Sequence, residues 1–136
     1  MRNSFLLLMT TMLVAPVAFA ATPGQLLEAY AQQASAEVDV YSGPSAAAGR
    51  AFFNAKHTDW SCASCHTADP SRPGKHAVTG KAISPLAPYA NAERFRDPAR
   101  VEKWFKRNCN DTLDRPCTAA EKSDVLAFLL TFRTGA

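Results

Sequence analysis

Two thiols three residues apart, with an imidazole directly after the second, form the chemically distinctive stretch of this chain, Cys62-Ala63-Ser64-Cys65-His66. The pattern is the C-x-x-C-H signature of covalent c-type haem attachment. Cysteines at this spacing can add to the two vinyl groups on one edge of a porphyrin, and the histidine that follows then falls under the iron as its proximal ligand. The expected cofactor is therefore one haem c, held by Cys62 and Cys65 and ligated by His66. Two other chemistries use the same residue types. A zinc site could combine these cysteines with Cys109 and Cys117, but it has no need of a histidine immediately after the second cysteine. A thioredoxin-like dithiol could use the nearby Trp60, but no βαβ pattern surrounds the motif.

Haem of this kind is attached outside the bacterial cytoplasm, and the start of the chain supplies a route there. Arg2, an apolar run from Phe5 to Val14, and then Ala18-Phe19-Ala20 read as a secretory signal peptide with an A-x-A cleavage site. The alternative is an uncleaved anchor, for which the apolar run is short. Residues 1–20 are thus expected to be removed and residues 21–136 to form a single periplasmic domain. Removing twenty residues from 136 leaves 116, and the loss of Arg2 takes the formal charge from +3 to +2. A domain of that size has a modest core, to which a buried haem would add apolar contact. The charge balance is too weak to argue for nucleic acid, and a monomer is expected. Basic residues do gather between Arg94 and Arg107, either as a face for an acidic redox partner or as an ordinary solvated helix face.

The elements that must position the motif read as helices. Thr22-Pro23-Gly24-Gln25 combines an N-cap, a proline at the first helical position and a capping-box partner, and Leu26, Leu27, Tyr30, Ala31 and Ala34 follow at helical spacing. A helix is predicted from Pro23 to Ser35. Ser42-Gly43-Pro44 reads as a turn, followed by a helix from Ser45 to Ala55 with Gly49 and Phe53 on one face. From Thr67 to Ala92, Pro70, Pro73, Gly74, Gly80, Pro85 and Pro88 predict a long loop wrapping the haem. A carbonyl between Ile83 and Pro88, with Pro85 the first choice, could accept from the ring N–H of His66. Asp97-Pro98 caps a helix with Val101, Trp104 and Phe105 as its apolar stripe, predicted to end near Asn108. A second capping box, Thr118 to Glu121, leads an amphipathic C-terminal helix carrying Val125, Phe128, Leu129 and Phe132. With no strand alternation and no internal repeat, the predicted class is all-α.

Gly49-x-x-x-Phe53 shortly before C-x-x-C-H resembles the N-terminal helix of class I cytochromes c. The resemblance implies that this helix crosses the C-terminal helix at a right angle over one haem edge, with the helix from Pro23 as an addition ahead of the pair. In that class a methionine from the loop before the C-terminal helix is the usual sixth ligand. Here the only methionines are Met1, Met9 and Met12, all within the leader. The corresponding stretch, Arg107 to Cys117, offers Asn108, Asn110, Cys109 and Cys117 instead. Two remaining cysteines eight positions apart in an oxidising compartment read as a disulfide. The competing reading makes one of them an iron-ligating thiolate. His57 and His76 lie nine before and ten after His66, and either could ligate only if its loop folded over the distal face.

Arg100-Val101-Glu102-Lys103-Trp104, Arg107-Asn108-Cys109-Asn110, Cys117-Thr118 and Glu121-Lys122 narrow the resemblance, as do Thr79-Gly80-Lys81, Ile83 and Pro85-Leu86-Ala87-Pro88. They resemble the asparagine-ligated class I cytochromes c of the sphaeroides haem protein type. The resemblance implies that Asn108 is the distal ligand and that Cys109 and Cys117 are bonded to each other. It further implies a dihaem cytochrome c as electron donor and O2, NO or CO as ligands of the reduced protein. Asn110 is the fallback for Asn108, since an offset of two keeps it on the same side of an extended loop. A neutral amide oxygen is a weak, hard donor that suits Fe(III) better than Fe(II), so reduction should release it.

Two function classes follow. One is a ligand-binding redox haem protein, which could reduce O2 or convert NO or peroxide; the other is a plain electron carrier with no small-ligand chemistry. Carriers favour two strong ligands that stay in both oxidation states, so the missing methionine favours the first class. A haem-based sensor would need an output domain, for which the chain has no room.

Overall fold

The computed structural model describes residues 20–133; the expected leader lies outside them but for its last residue. Thr22 starts α1 (Pro23–Glu37): its hydroxyl accepts from the Gln25 amide at 3.2 Å while the Gln25 side chain accepts from the Thr22 amide at 2.9 Å. Ser45 caps α2 (Ala46–Asn54), and the Thr118 and Glu121 pair opens α5 (Ala119–Leu129). Such boxes satisfy backbone donors that the first helical turn leaves without partners. Between these elements stand the one-turn α3 (Cys62–His66), a 3-10 turn (Ala92–Phe95) and α4 (Pro98–Leu113).

The core forms where α2 meets α5. A Cβ built on Gly49 would stand 1.9 Å from the Asp124 carbonyl oxygen and 2.9 Å from the Val125 nitrogen, so two backbones touch where no side chain fits. Phe53, one turn on, is buried and packs on Phe128 with ring centroids 5.4 Å apart. Asp124 Oδ1 also accepts from the Ser45 amide at 2.7 Å, fixing the start of α2 on the same helix. α1 lays Leu26, Tyr30 and Ala34 inward, and the first two join the cluster of Val125, Leu126, Phe128 and Leu129. Gly49→Ala should therefore force the helices apart and destabilise the protein by about 1–3 kcal/mol or more, read as a lower denaturation midpoint. An unchanged midpoint would show that the helices do not meet there.

α4 departs from expectation. It runs to Leu113 instead of ending near Asn108, so Asn108, Cys109 and Asn110 lie on a helix and not in a loop. Asn, Asp and Thr are weak helix formers, yet no glycine or proline interrupts the stretch before Pro116. Thr112 donates to the Asn108 carbonyl at 2.8 Å, and Asp114, at φ 53°, closes the helix by donating its amide to the Asn110 carbonyl at 3.1 Å. Asn110 thus loses its standing as a fallback, because two helical positions turn it about 200° from Asn108. The apolar stripe is Val101, Phe105 and Cys109; Trp104 sits one position off it and is 43% exposed.

Two fastenings hold α4 to the core. The Cys109–Cys117 disulfide ties it to the residue preceding the α5 cap, as expected, and rules out a thiolate ligand from either cysteine. Glu102 accepts from Lys122 Nζ of α5 at 2.6 Å and from the Tyr30 hydroxyl of α1 at 3.1 Å. Lys122 is 8% exposed and lies over the Tyr30 ring; burial, then Glu102, raise the phenol pKa above its ordinary value.

A second departure is a short antiparallel ribbon, β1 (Gly74–Lys75) with β2 (Ala82–Ile83). Two-residue strands are too short to show alternation in the sequence. The stretch is otherwise irregular up to the 3-10 turn, and the class remains all-α.

Candidate functional site

α3 is a single turn whose start is fixed by two serines. Ser61 Oγ accepts from the Ser64 amide at 3.1 Å and Ser64 Oγ accepts from the Ser61 amide at 3.0 Å. Cys62 and Cys65, three apart, therefore share a helical face, and both are free and half-buried. Burial pushes the Cys62 thiol up to about 11, with Cys65 adding to the rise. That is the opposite of the lowered value that activates a redox dithiol. The zinc reading fails with the disulfide, which removes Cys109 and Cys117 as donors. Among the described residues no cluster of three or more His, Cys, Asp and Glu side chains is poised for a metal ion.

His66 ends α3 with its ring 6.5 Å from that of Phe53, centroid to centroid. Burial, and then the Arg94 guanidinium, lower its pKa to about 4, so the imidazole is neutral with a lone pair to offer. The backbone turns sharply at the next residue: Thr67 has φ 62° and ψ 162°, a region that side chains rarely occupy. The ribbon then folds back on the motif. A Cβ on Gly74 would stand 2.1 Å from the Cys65 carbonyl oxygen, and the Ala77 amide donates to Cys65 Sγ at 3.3 Å.

Pro85 does not play its expected part. Its carbonyl accepts from Arg94 Nε at 2.9 Å and Asn91 Nδ2 at 3.3 Å, while Arg94 Nη2 also donates to the Ser84 carbonyl at 2.7 Å. A charged guanidinium fork outcompetes a neutral ring N–H for that oxygen. Arg94, half-buried and beside His66, is the residue that sequence reasoning missed. Its partners are backbone carbonyls nine and ten positions away, which carry no residue signature.

The other histidines are tied locally. His57 Nε2 donates to the Phe52 carbonyl at 3.0 Å, with its ring against Phe52. His76 Nδ1 accepts from the Val78 and Thr79 amides at 3.3 and 3.2 Å, within the ribbon turn that packs on Cys65. Asn108 is exposed on α4. It follows Arg100 and Trp104 at four-residue steps along one face, and those two line a cleft of about 220 Å³ with Ser84, Asn91, Glu93 and Arg94. At its far end, α4 is anchored where Thr58, just before α3, donates to the Thr112 carbonyl at 3.1 Å. Among the described residues no helix is long and apolar enough to cross a membrane.

Comparison with known proteins agrees with this architecture. The family model described as a domain of unknown function, DUF1924, matches residues 39–129. The cytochrome c-type protein SHP of Cereibacter sphaeroides is 43% identical over 130 residues, 92% of this chain and 95% of that protein. Cytochrome c'' of Methylophilus methylotrophus is 42% identical over 112 residues, 79% of this chain and 78% of that protein. Oxidised cytochrome c'' superposes with a TM-score of 0.77 at 40% identity, covering 82% of this chain and 95% of the other. Its solution structure, described as giving insight into haem-ligand detachment, gives 0.73 at 41% identity, covering 81% and 93%. Oxidised SHP, described as an oxygen-binding cytochrome c, gives 0.74 at 42% identity, covering 83% and 99%. The chain accordingly belongs to the DUF1924 family, with SHP and cytochrome c'' as relatives, and is a monohaem c-type cytochrome of all-α fold whose cofactor is one covalently bound haem c.

Proposed function

We propose that this chain is an exported, periplasmic redox cytochrome whose distal protein ligand, Asn108, leaves on reduction and opens the site to O2, NO or CO. In this reading residues 1–20 are the cleaved leader and residues 21–136 the working domain. Cys62 and Cys65 form the two thioether bonds and His66 is the proximal ligand. The donor set fits haem c: two free thiols on one face of a helical turn, followed by a half-buried imidazole kept neutral. The haem supplies an iron that cycles between Fe(III) and Fe(II) and takes a diatomic ligand where an axial position is free.

The observation that carries the reading is the pairing of an absence with a position. No methionine follows Met12, and Asn108 shares a face of α4 with Arg100 and Trp104, which line a cleft with Arg94, the guanidinium whose charge acts on His66. Its amide oxygen holds the oxidised metal adequately and the reduced metal poorly. The oxygen-binding description of SHP and the ligand detachment described for cytochrome c'' support the same behaviour here. α4 also supplies a surface for the electron donor: Arg100, Lys103 and Arg107 are exposed on the side away from Val101, Phe105 and Cys109, and Lys106 is exposed at its flank. Such a face suits an acidic redox protein, and family resemblance names a dihaem cytochrome c.

Absorption spectra of the reduced protein, with and without CO, test the proposal. The ferrous protein should be five-coordinate and high-spin, and CO should bind in one concentration-dependent step with no plateau set by ligand dissociation. A six-coordinate, CO-inert ferrous spectrum would leave only electron transfer.

A further inference from the structure

The last carbonyls of a helix have no partner within it, and in α4 two of them are satisfied from opposite directions. The Asn110 carbonyl accepts from the Asp114 amide, the next residue past the helix. The Thr112 carbonyl accepts from Thr58 Oγ1 at 3.1 Å, a hydroxyl 54 positions earlier in the chain. Thr58 lies just ahead of Ser61, the cap of α3, and among the described residues this is the hydrogen bond that joins α4 to the segment entering the C-x-x-C-H turn. That segment is itself held. The His57 amide donates to the Trp60 carbonyl at 3.3 Å, closing a tight loop that contains Thr58, and the His57 ring bonds the Phe52 carbonyl of α2. On the α4 side, Thr112 Oγ1 donates to the Asn108 carbonyl at 2.8 Å. A hydroxyl bonded to the carbonyl four residues back shares that oxygen with the helical ladder and bends the helix locally. The turn shaped in this way is the one from which the Asn108 side chain leaves.

The disulfide and the Glu102 contacts fasten α4 to the start of α5 and to α1, neither of which bears the attachment motif. The spacing between Asn108 and the turn from Cys62 to His66 is set more directly by the two threonines. We infer that Thr58 and Thr112 are positioning residues for Asn108, two hydrogen bonds in series that align its side chain with the site served from the other side by His66. The inference rests on the reading above that Asn108 is the distal ligand. A weak amide donor gains too little on binding to reshape its own helix, so its hold on the oxidised metal depends on arriving aligned. Groups that orient a metal ligand commonly contribute roughly 10- to 100-fold in affinity. Thr58 is exposed and Thr112 half-buried, so water competes for both hydroxyls and the low end of that range applies.

Imidazole, added to the ferric holoprotein as a competitor for the distal position and followed by absorption, supplies the test. Thr58→Val and Thr112→Val each remove one hydroxyl and keep the branched shape. Each should raise the apparent imidazole affinity by about tenfold, and Thr58→Ser and Thr112→Ser should keep it near that of the wild type. In an Asn108→Ala background neither valine should have any further effect, since no ligand is left to align. Imidazole affinities equal to wild type in both valine variants overturn the inference. A valine effect that persists without Asn108 overturns it too, because the threonines then act on the fold or on access to the site. If Asn108→Ala alone leaves imidazole affinity unchanged, the ligand assignment falls, and this inference with it.

Discussion

Replacing Cys62 and Cys65 together with alanine should give an exported protein with no covalently bound haem. Both thiols sit on one face of a single helical turn whose start the Ser61 and Ser64 side chains fix, so neither replacement disturbs the backbone of α3. What disappears is the pair of nucleophilic sulfurs. Intact mass should match the bare mature polypeptide, whereas the wild type should exceed it by one haem that acid acetone does not extract. Each single variant should keep one thioether and an altered visible spectrum. The double variant should also unfold at lower temperature, because the cofactor adds apolar contact to a small core and its binding to the native state stabilises that state by mass action. Non-extractable haem in the double variant would move the attachment to other residues. Mature wild type without haem would refute it outright.

What the sequence revealed about this fold depends on the range over which each interaction acts. Thr22 with Gln25 and Thr118 with Glu121 bond across three residues, so residue type alone located the starts of α1 and α5. Gly49 was legible as a crossing point because Phe53 stands one turn away, and both meet α5 at residues 124–128. The end of α4 was misread because Asn108 to Asp114 has the composition of a loop while its hydrogen bonds are helical. Arg94 was invisible as a site residue because its fork binds carbonyls of the Ser84 and Pro85 loop, and any residue type presents a carbonyl. The same fork explains why Pro85 could not serve His66. The thiols, the imidazole and the disulfide were legible as chemistry; the guanidinium wall of the cleft required the folded chain.

The correction to α4 changes the mechanics of the proposed ligand. Asn108 is carried by a helix immobilised next door by the Cys109–Cys117 disulfide and two turns earlier by Glu102 with Lys122 and Tyr30. A loop could swing away as a whole. A helix fastened in this way leaves side-chain rotation about χ1 and χ2 of Asn108 as the least costly route for release, with the backbone of α4 staying in place. The Asn108 carbonyl is held by Thr112, which again leaves only the side-chain amide free to move.

Asn108→Ala should retain covalent haem and the fold, since Asn108 is exposed and its loss opens no core cavity, but it should remove the distal protein ligand in both oxidation states. The oxidised variant should become high-spin or take up water or an added anion, while its ferrous CO binding should stay close to that of the wild type, where the amide has already left. Asn108→Met tests the converse. Thioether sulfur is a soft donor that suits Fe(II), so a methionine able to reach should give a six-coordinate, low-spin ferrous protein. CO would then have to displace it, and affinity should fall by roughly tenfold or more, ~1.4 kcal/mol. The reduction potential should rise in the same variant, because the ligand now favours the reduced metal. Spin state and ferrous CO binding of wild type, Asn108→Ala and Asn108→Met, measured side by side, decide the matter. If Asn108→Ala leaves the ferric spin state unchanged, the amide is not on the iron, and an unchanged low-spin state would assign the position to His57 or His76. Either histidine would first have to break its present bond to Phe52 or to the ribbon turn, or in the case of His76 ligate through its other nitrogen.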